Sequence, residues 1–183
     1  EWLAIHGCGG VGLAAVMIAQ AMGAQVVAVY INDEALAKAK ELGANVTLNP
    51  SSVGDTALAV REITGGGAHV AIDGLGITAT IHNSVRSLRK LGRHVQIGQP
   101  LGKHASPPMP LLETVYARQI SILGTRGIAA SRFSALLGMI AAGRLDPARM
   151  ITRRIGLSEA GAALMAMDGY TGVGVTVIDR LQA

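Results

Sequence analysis

The stretch Gly7-Cys8-Gly9-Gly10-Val11-Gly12, which follows the apolar run Trp2–His6, decides how the rest of the chain is read. It fits the pattern G-x-G-x-x-G, with Gly7, Gly9 and Gly12 at the three required places. Gly7 permits a tight turn out of a strand. Gly9 has no Cβ, so the backbone can approach a pyrophosphate, and Gly12 lets a helix pack closely on the strand. The N–H groups that open the helix then face the anion, aided by the helix dipole. In a chain with 24 glycines the pattern alone is weak. Its place between a strand and a helix gives it meaning, and there it predicts dinucleotide binding.

Outward from this loop, helices and strands alternate. Val11–Met22 reads as an apolar helix closed by Gly23. Gln25–Ile31 is a β-branched strand, and a helix capped by Asn32 or Asp33 runs to Leu42 and ends at Gly43. Val46–Leu48 is a third strand, and Asp55–Ile63 a helix stopped by Gly65-Gly66-Gly67. The strand Val70–Asp73, the helix Thr78–Leu88 and the strand Arg93–Ile97 follow. Pro100–Pro110 must be a loop, because Pro107, Pro108 and Pro110 remove backbone donors. A short helix, Leu111–Arg118, then leads to a sixth strand, Ile120–Leu123. This rhythm predicts an α/β fold of Rossmann type, a doubly wound six-stranded parallel sheet, over residues 1–127. Residues 128–183 read as helix (Arg132–Ala142), strand (Met150–Ile155), helix (Leu157–Met167) and strand (Val173–Ile178), and do not continue the alternation around one sheet.

Composition narrows the function. Half the residues are apolar and 15% are charged, which suits a sheet buried on both faces. Val11–Ile31 is nearly free of charge, but Gln20, Gln25 and a turn at Gly23-Ala24 divide it into two elements instead of one span of about 20 apolar residues. The chain opens at Glu1 inside an apparent strand, without initiator Met or signal peptide, so a piece of a longer protein is expected. Its single cysteine, Cys8, excludes an internal disulfide and a multi-cysteine zinc cage, and fits a reducing cytoplasm. The net charge of +4 comes from scattered basic residues, and aromatics make up only 3% of the chain. Neither a basic stripe nor stacking platforms for nucleic acid are present.

Ligands of open α/β sheets sit at the carboxyl ends of strands. The candidate cofactor residues are therefore Gly7, Cys8, Gly9, Gly10, Val11 and Gly12, with Tyr30, Asp73, Gly74, Ile97, Gly98, Gly124 and Thr125 at later strand ends. An acid ending the second strand would bind the adenosine ribose hydroxyls. Tyr30 stands there instead, and Asp33 and Glu34 read as helix-start residues. A 2′-phosphate would want Arg or Lys, yet Ile31 and Asn32 follow. NAD and NADP both stay open, with NAD favoured. Groups for catalysis are scarce. None of His6, His69, His82, His94 and His104 is spaced from another like a metal pair on a helix. Neither Ser84 nor Ser87 lies in a nucleophile elbow, and none of Tyr30, Tyr116 and Tyr170 has Lys four residues on. No catalytic residue and no metal ligand is assigned to this chain.

From Trp2 to Ile178 the chain resembles the zinc-dependent alcohol dehydrogenases of the medium-chain dehydrogenase/reductase family. The resemblance is carried by His6–Gly12, by Ala39-Lys40-Glu41-Leu42-Gly43-Ala44 and by Ser84-Val85-Arg86-Ser87-Leu88-Arg89-Lys90-Leu91-Gly92-Arg93. Ile122-Leu123-Gly124-Thr125-Arg126-Gly127 and Gly143-Arg144-Leu145 also match. It implies hydride transfer between NAD(P) and an alcohol, aldehyde or ketone, with a zinc polarising the substrate oxygen. The family's zinc and its ligands belong to an N-terminal GroES-like domain that is expected to be missing here, so the isolated chain is expected to be inactive. The resemblance further implies that residues beyond Gly127 return to a separate catalytic domain. Val173–Ile178 is then expected to lack its normal sheet partner, and so to be mobile or to pair with another copy, and a homodimer is expected to form through the edge strand Ile120–Leu123. Two other readings stand beside this one. A zinc-free quinone or enoyl reductase of the same superfamily would share the cofactor domain. A non-catalytic dinucleotide sensor would lack the returning segment Arg132–Ile178, which argues against it.

Overall fold

The computed structural model describes residues 1–169 and 172–181. Six parallel strands form one sheet, in the order β3-β2-β1-β4-β5-β6. They are β1 (Trp2–His6), β2 (Gln25–Val29), β3 (Val46–Leu48), β4 (Ala68–Asp73), β5 (Leu88–Gln96) and β6 (Ser121–Gly124). The helices α1 (Gly10–Ala21), α2 (Asp33–Glu41), α3 (Thr56–Ile63) and α4 (Thr78–Ser87) join them. Successive side chains of a strand point to opposite faces, and β1 shows it directly. Leu3 and Ile5 pack with Leu13, Val16 and Leu36 of α1 and α2, whereas Ala4 packs with Val60 and Val85 of α3 and α4. The expected doubly wound sheet is therefore present, with an apolar layer on each face.

Local chemistry explains the boundaries. Asn32 is the cap of α2, its side-chain oxygen accepting from Ala35 N at 3.0 Å, and Asp55 caps α3 through Leu58 N at 3.0 Å. Two elements differ from the sequence expectation. Pairing of β4 with β5 jumps from Ala68↔Leu88 to Val70↔Arg93, so residues 89–92 bulge outward and Leu91 adopts φ 60. A Cβ on Gly67 would stand 2.5 Å from Arg89 N, which shows how closely the backbones approach at this bulge. The expected helix at Leu111 is a π-helix (Leu111–Tyr116), because Val115 N bonds the carbonyl of Pro110 and Ala117 N that of Leu112, each five residues back.

The C-terminal segment contains α5 (Phe133–Ala141), β7 (Ile151–Gly156), α6 (Ala160–Ala166) and β8 (Val175–Arg180). The strand expected at Val173–Ile178 starts at Val175 and is not left without a partner. It pairs in parallel with β7, from Ile151↔Val175 to Gly156↔Arg180. The intervening α6 supplies the crossover that parallel pairing needs, and Arg154 bonds Asp179 at 3.0 Å across the pair. The segment also packs on the first core. Leu145 and Met150 are buried with Leu13 and Leu36, and Arg144 donates to the carbonyl of Ala21 at 2.8 Å. Among the described residues, no helix is long and apolar enough to cross a membrane.

Candidate cofactor-binding site

The glycine loop turns out of β1 into α1 with φ 109 at Gly7. A Cβ on Gly12 would stand 1.8 Å from the Gly7 carbonyl oxygen, whereas a Cβ on Gly9 would meet nothing within 4 Å. One glycine is thus required by packing and the other faces open space. No side chain caps α1, and its first turn carries no acid. The N–H groups that open a helix lack intrahelical acceptors, so this end can accept an anion. Cys8 is fully buried and burial pushes its thiol up to about 12, which makes it a packing residue instead of a nucleophile. Gly10 touches the tail, since a Cβ there would lie 3.6 Å from Val175 Cγ2.

Three cavities follow the carboxyl edge of the sheet. The first, about 540 Å³, lies between the ends of β1, β2 and β4, where the strand order reverses, and is lined by His6, Tyr30, Ile31, Leu75, Gly76 and Thr80 among others. Such a switch point is where open α/β sheets bind ligands. The second, about 450 Å³, joins Gly9, Gly10 and Tyr30 to the apolar side chains of α6 and β8. The third, about 430 Å³, brings Ile97, Gly98, Gly124 and Thr125 together beyond β5 and β6. Tyr30 is buried and borders both of the first two cavities. An extended ligand crossing from one strand end to the next would meet most of the sequence candidates.

Asp73 has a different place. It is fully buried, its carboxylate accepting from Leu75 N at 3.2 Å, Gly76 N at 2.8 Å and Gln96 Nε2 at 2.5 Å. Gln96 also donates to the Gly98 carbonyl at 2.7 Å, so one amide ties the turns after β4 and β5 together. The glycines of those turns interlock as well: a Cβ on Gly98 would stand 2.3 Å from Gly76 N. The hydrogen-bonded line continues through His94 Nε2, 3.0 Å from Gln96 Oε1, to Ser84 Oγ, 2.8 Å from His94 Nδ1. His6 lies opposite Asp73 in the sheet register, and burial pushes its pKa down to about 4 against the opposing pull of that carboxylate. Of this buried chain, sequence reading singles out Asp73 alone, as a candidate cofactor contact, and gives no function to Gln96, His94 or Ser84. Only the alternation of strand faces could group His6 with His94.

The family profile described as zinc-binding dehydrogenase matches residues 10–142, from the start of α1 through α5, and includes the whole lining of the cavity beyond β5 and β6. The chain belongs to the zinc-binding dehydrogenase family. An alcohol dehydrogenase of Geobacillus stearothermophilus is 40% identical over 129 residues, covering 69% of this chain and 37% of that protein. An NAD-dependent alcohol dehydrogenase of Sulfurisphaera tokodaii is 31% identical over 172 residues, covering 93% of this chain and 48% of that protein. A crystal structure described as an NAD-dependent alcohol dehydrogenase superposes with a TM-score of 0.85 at 28% identity, covering 99% of this chain and 51% of its own. The chain thus spans less than half the length of these two curated relatives. The family name implies zinc, but among the described residues no three His, Cys, Asp or Glu side chains stand together as metal ligands would.

Proposed function

We propose that this chain is the cofactor-holding part of an oxidoreductase that passes hydride between a nicotinamide dinucleotide and an alcohol, aldehyde or ketone. Residues 1–127 hold the dinucleotide, and 128–183 are the segment that in the parent enzyme returns to the catalytic domain. The observation that carries the reading is the contrast between Gly12, locked against Gly7, and Gly9, open in front of an uncapped helix end. That opening fits a pyrophosphate. The cavity at the β1–β2–β4 ends then takes the adenosine, and the one beyond β5 and β6 takes the nicotinamide, beside Gly98 and Thr125. The cofactor supplies the hydride. The chain's own part is to bind, to orient through the turns tied by Asp73 and Gln96, and to exclude water with apolar walls. That NAD is a cofactor of this site is supported by relatives that are NAD-dependent.

The exposed edge strand β6, with Ile122 and Leu123 each nearly half exposed, supports a homodimer formed through it. The buried reduced thiol of Cys8 is consistent with a cytoplasmic setting. Quenching or enhancement of NADH fluorescence on adding the chain tests the binding. A turnover assay with primary and secondary alcohols, NAD and zinc tests the division of labour. The expected result is bound cofactor without turnover, and turnover near an ordinary enzyme's ~10 s⁻¹ would place the catalytic groups within these residues.

A further inference from the structure

Resting on the cofactor reading above, we infer that the adenosine end of this site binds NAD and NADP with nearly equal affinity, because the end of β2 presents no charge to the ribose 2′ position. Tyr30 marks that position, since among the described residues it alone borders both the cavity at the β1–β2–β4 ends and the one at the glycine loop. A carboxylate there would accept from a 2′-hydroxyl and repel a 2′-phosphate, and a guanidinium would do the reverse. Neither is in place.

The polar residues that follow are engaged elsewhere. The Asn32 side chain accepts from Ala35 N as the helix cap. The Asp33 carboxylate accepts from Asn49 Nδ2 at 2.7 Å and lines a different depression, with Lys40 and Ser52. Among the described residues, no Asp, Glu, Lys or Arg lines the adenosine-side cavity. Of its two histidines, His6 is buried and pushed toward its neutral form, and His104 Nδ1 accepts from the Thr78 N–H at 3.2 Å. Ile31, 68% exposed, forms the mouth of the cavity beside Tyr30. A 2′-phosphate at this mouth stays in water and neither gains an ion pair nor meets a like charge. The two cofactors then differ only in groups that the protein barely touches.

Calorimetric titration of the whole chain with NADH and with NADPH, at one fixed ionic strength, reads this directly. Dissociation constants within about tenfold of each other are expected, and a preference beyond about a hundredfold for either would overturn the inference. Binding of neither would overturn the cofactor reading itself. Ile31 is exposed, so its variants should fold. Ile31→Arg should tighten NADPH by about tenfold with NADH little changed, and Ile31→Asp should weaken NADPH by a similar factor. If both variants leave the ratio where it was, the 2′ position does not lie at this mouth and the inference fails.

Discussion

A Cβ on Gly12 would stand 1.8 Å from the carbonyl oxygen of Gly7, closer than non-bonded atoms can approach. The two residues lie on either side of the turn from β1 into α1, so the contact sets how near the helix end comes to the sheet. Gly12→Ala therefore has to displace α1, whose Leu13 and Val16 are fully buried. A loss of about 3 kcal/mol in unfolding free energy is expected from urea denaturation, at the upper end of overpacking. A loss under about 0.5 kcal/mol would mean that the turn relaxes freely.

His6 makes stability depend on pH in a definite window. Its pKa is lowered from 6.5 to about 4 by burial in the native state, so the unfolded chain binds the proton first. The contribution is fully present above pH 6.5 and is lost as pH falls toward 4. The loss reaches about 3 kcal/mol below that point. Burial also lowers His94, which acts in the same direction. Urea midpoints measured from pH 7.5 to 4.5 should fall for the native chain and fall less for His6→Gln. An equal slope in both proteins would show that other groups govern the acid limb.

The edge strand β6 offers Ile122 and Leu123 to solvent with no charge within Ser121–Gly124. The sequence expectation placed this strand at Ile120–Leu123. Ile120 is instead buried in the core beneath it, so Ile122 is the better probe. Light scattering at high micromolar concentration should give a dimer for the native chain and a monomer for Ile122→Lys. A native chain that stays monomeric throughout would remove the β6 dimer.

The sheet is legible because most of its strands contain short apolar runs and three of the four helices that join them begin or end on a residue with a definite backbone role. Asn32 and Asp55 as caps, and Gly23 and Gly43 at φ 80 and 114, are local signals that no tertiary contact overrides. The glycine loop was legible for the same reason. What could not be read depends on contacts between distant segments. The bulge at 89–92 follows from the close pass of Gly67, and the pairing of β8 follows from the turn over α6 back to β7. Asp73 shows the limit best. Its position at a strand end suggests a ligand contact, but its carboxylate is held by Leu75 N, Gly76 N and Gln96 Nε2, and the last of these, 23 residues away, cannot be inferred from spacing.

Gly9→Val with NADH titration tests the central claim most directly. The native backbone at Gly9, φ −73 and ψ −171, is an extended conformation that valine can adopt, and its Cβ would touch nothing within 4 Å. The variant should therefore fold with an unchanged melting temperature while its side chain occupies the space in front of the α1 N-terminus. If a pyrophosphate sits there, calorimetry will show NADH affinity reduced by about a hundredfold or more. NADH binding unchanged in a folded Gly9→Val chain would contradict the placement of the cofactor at this loop, and with it the function proposed here.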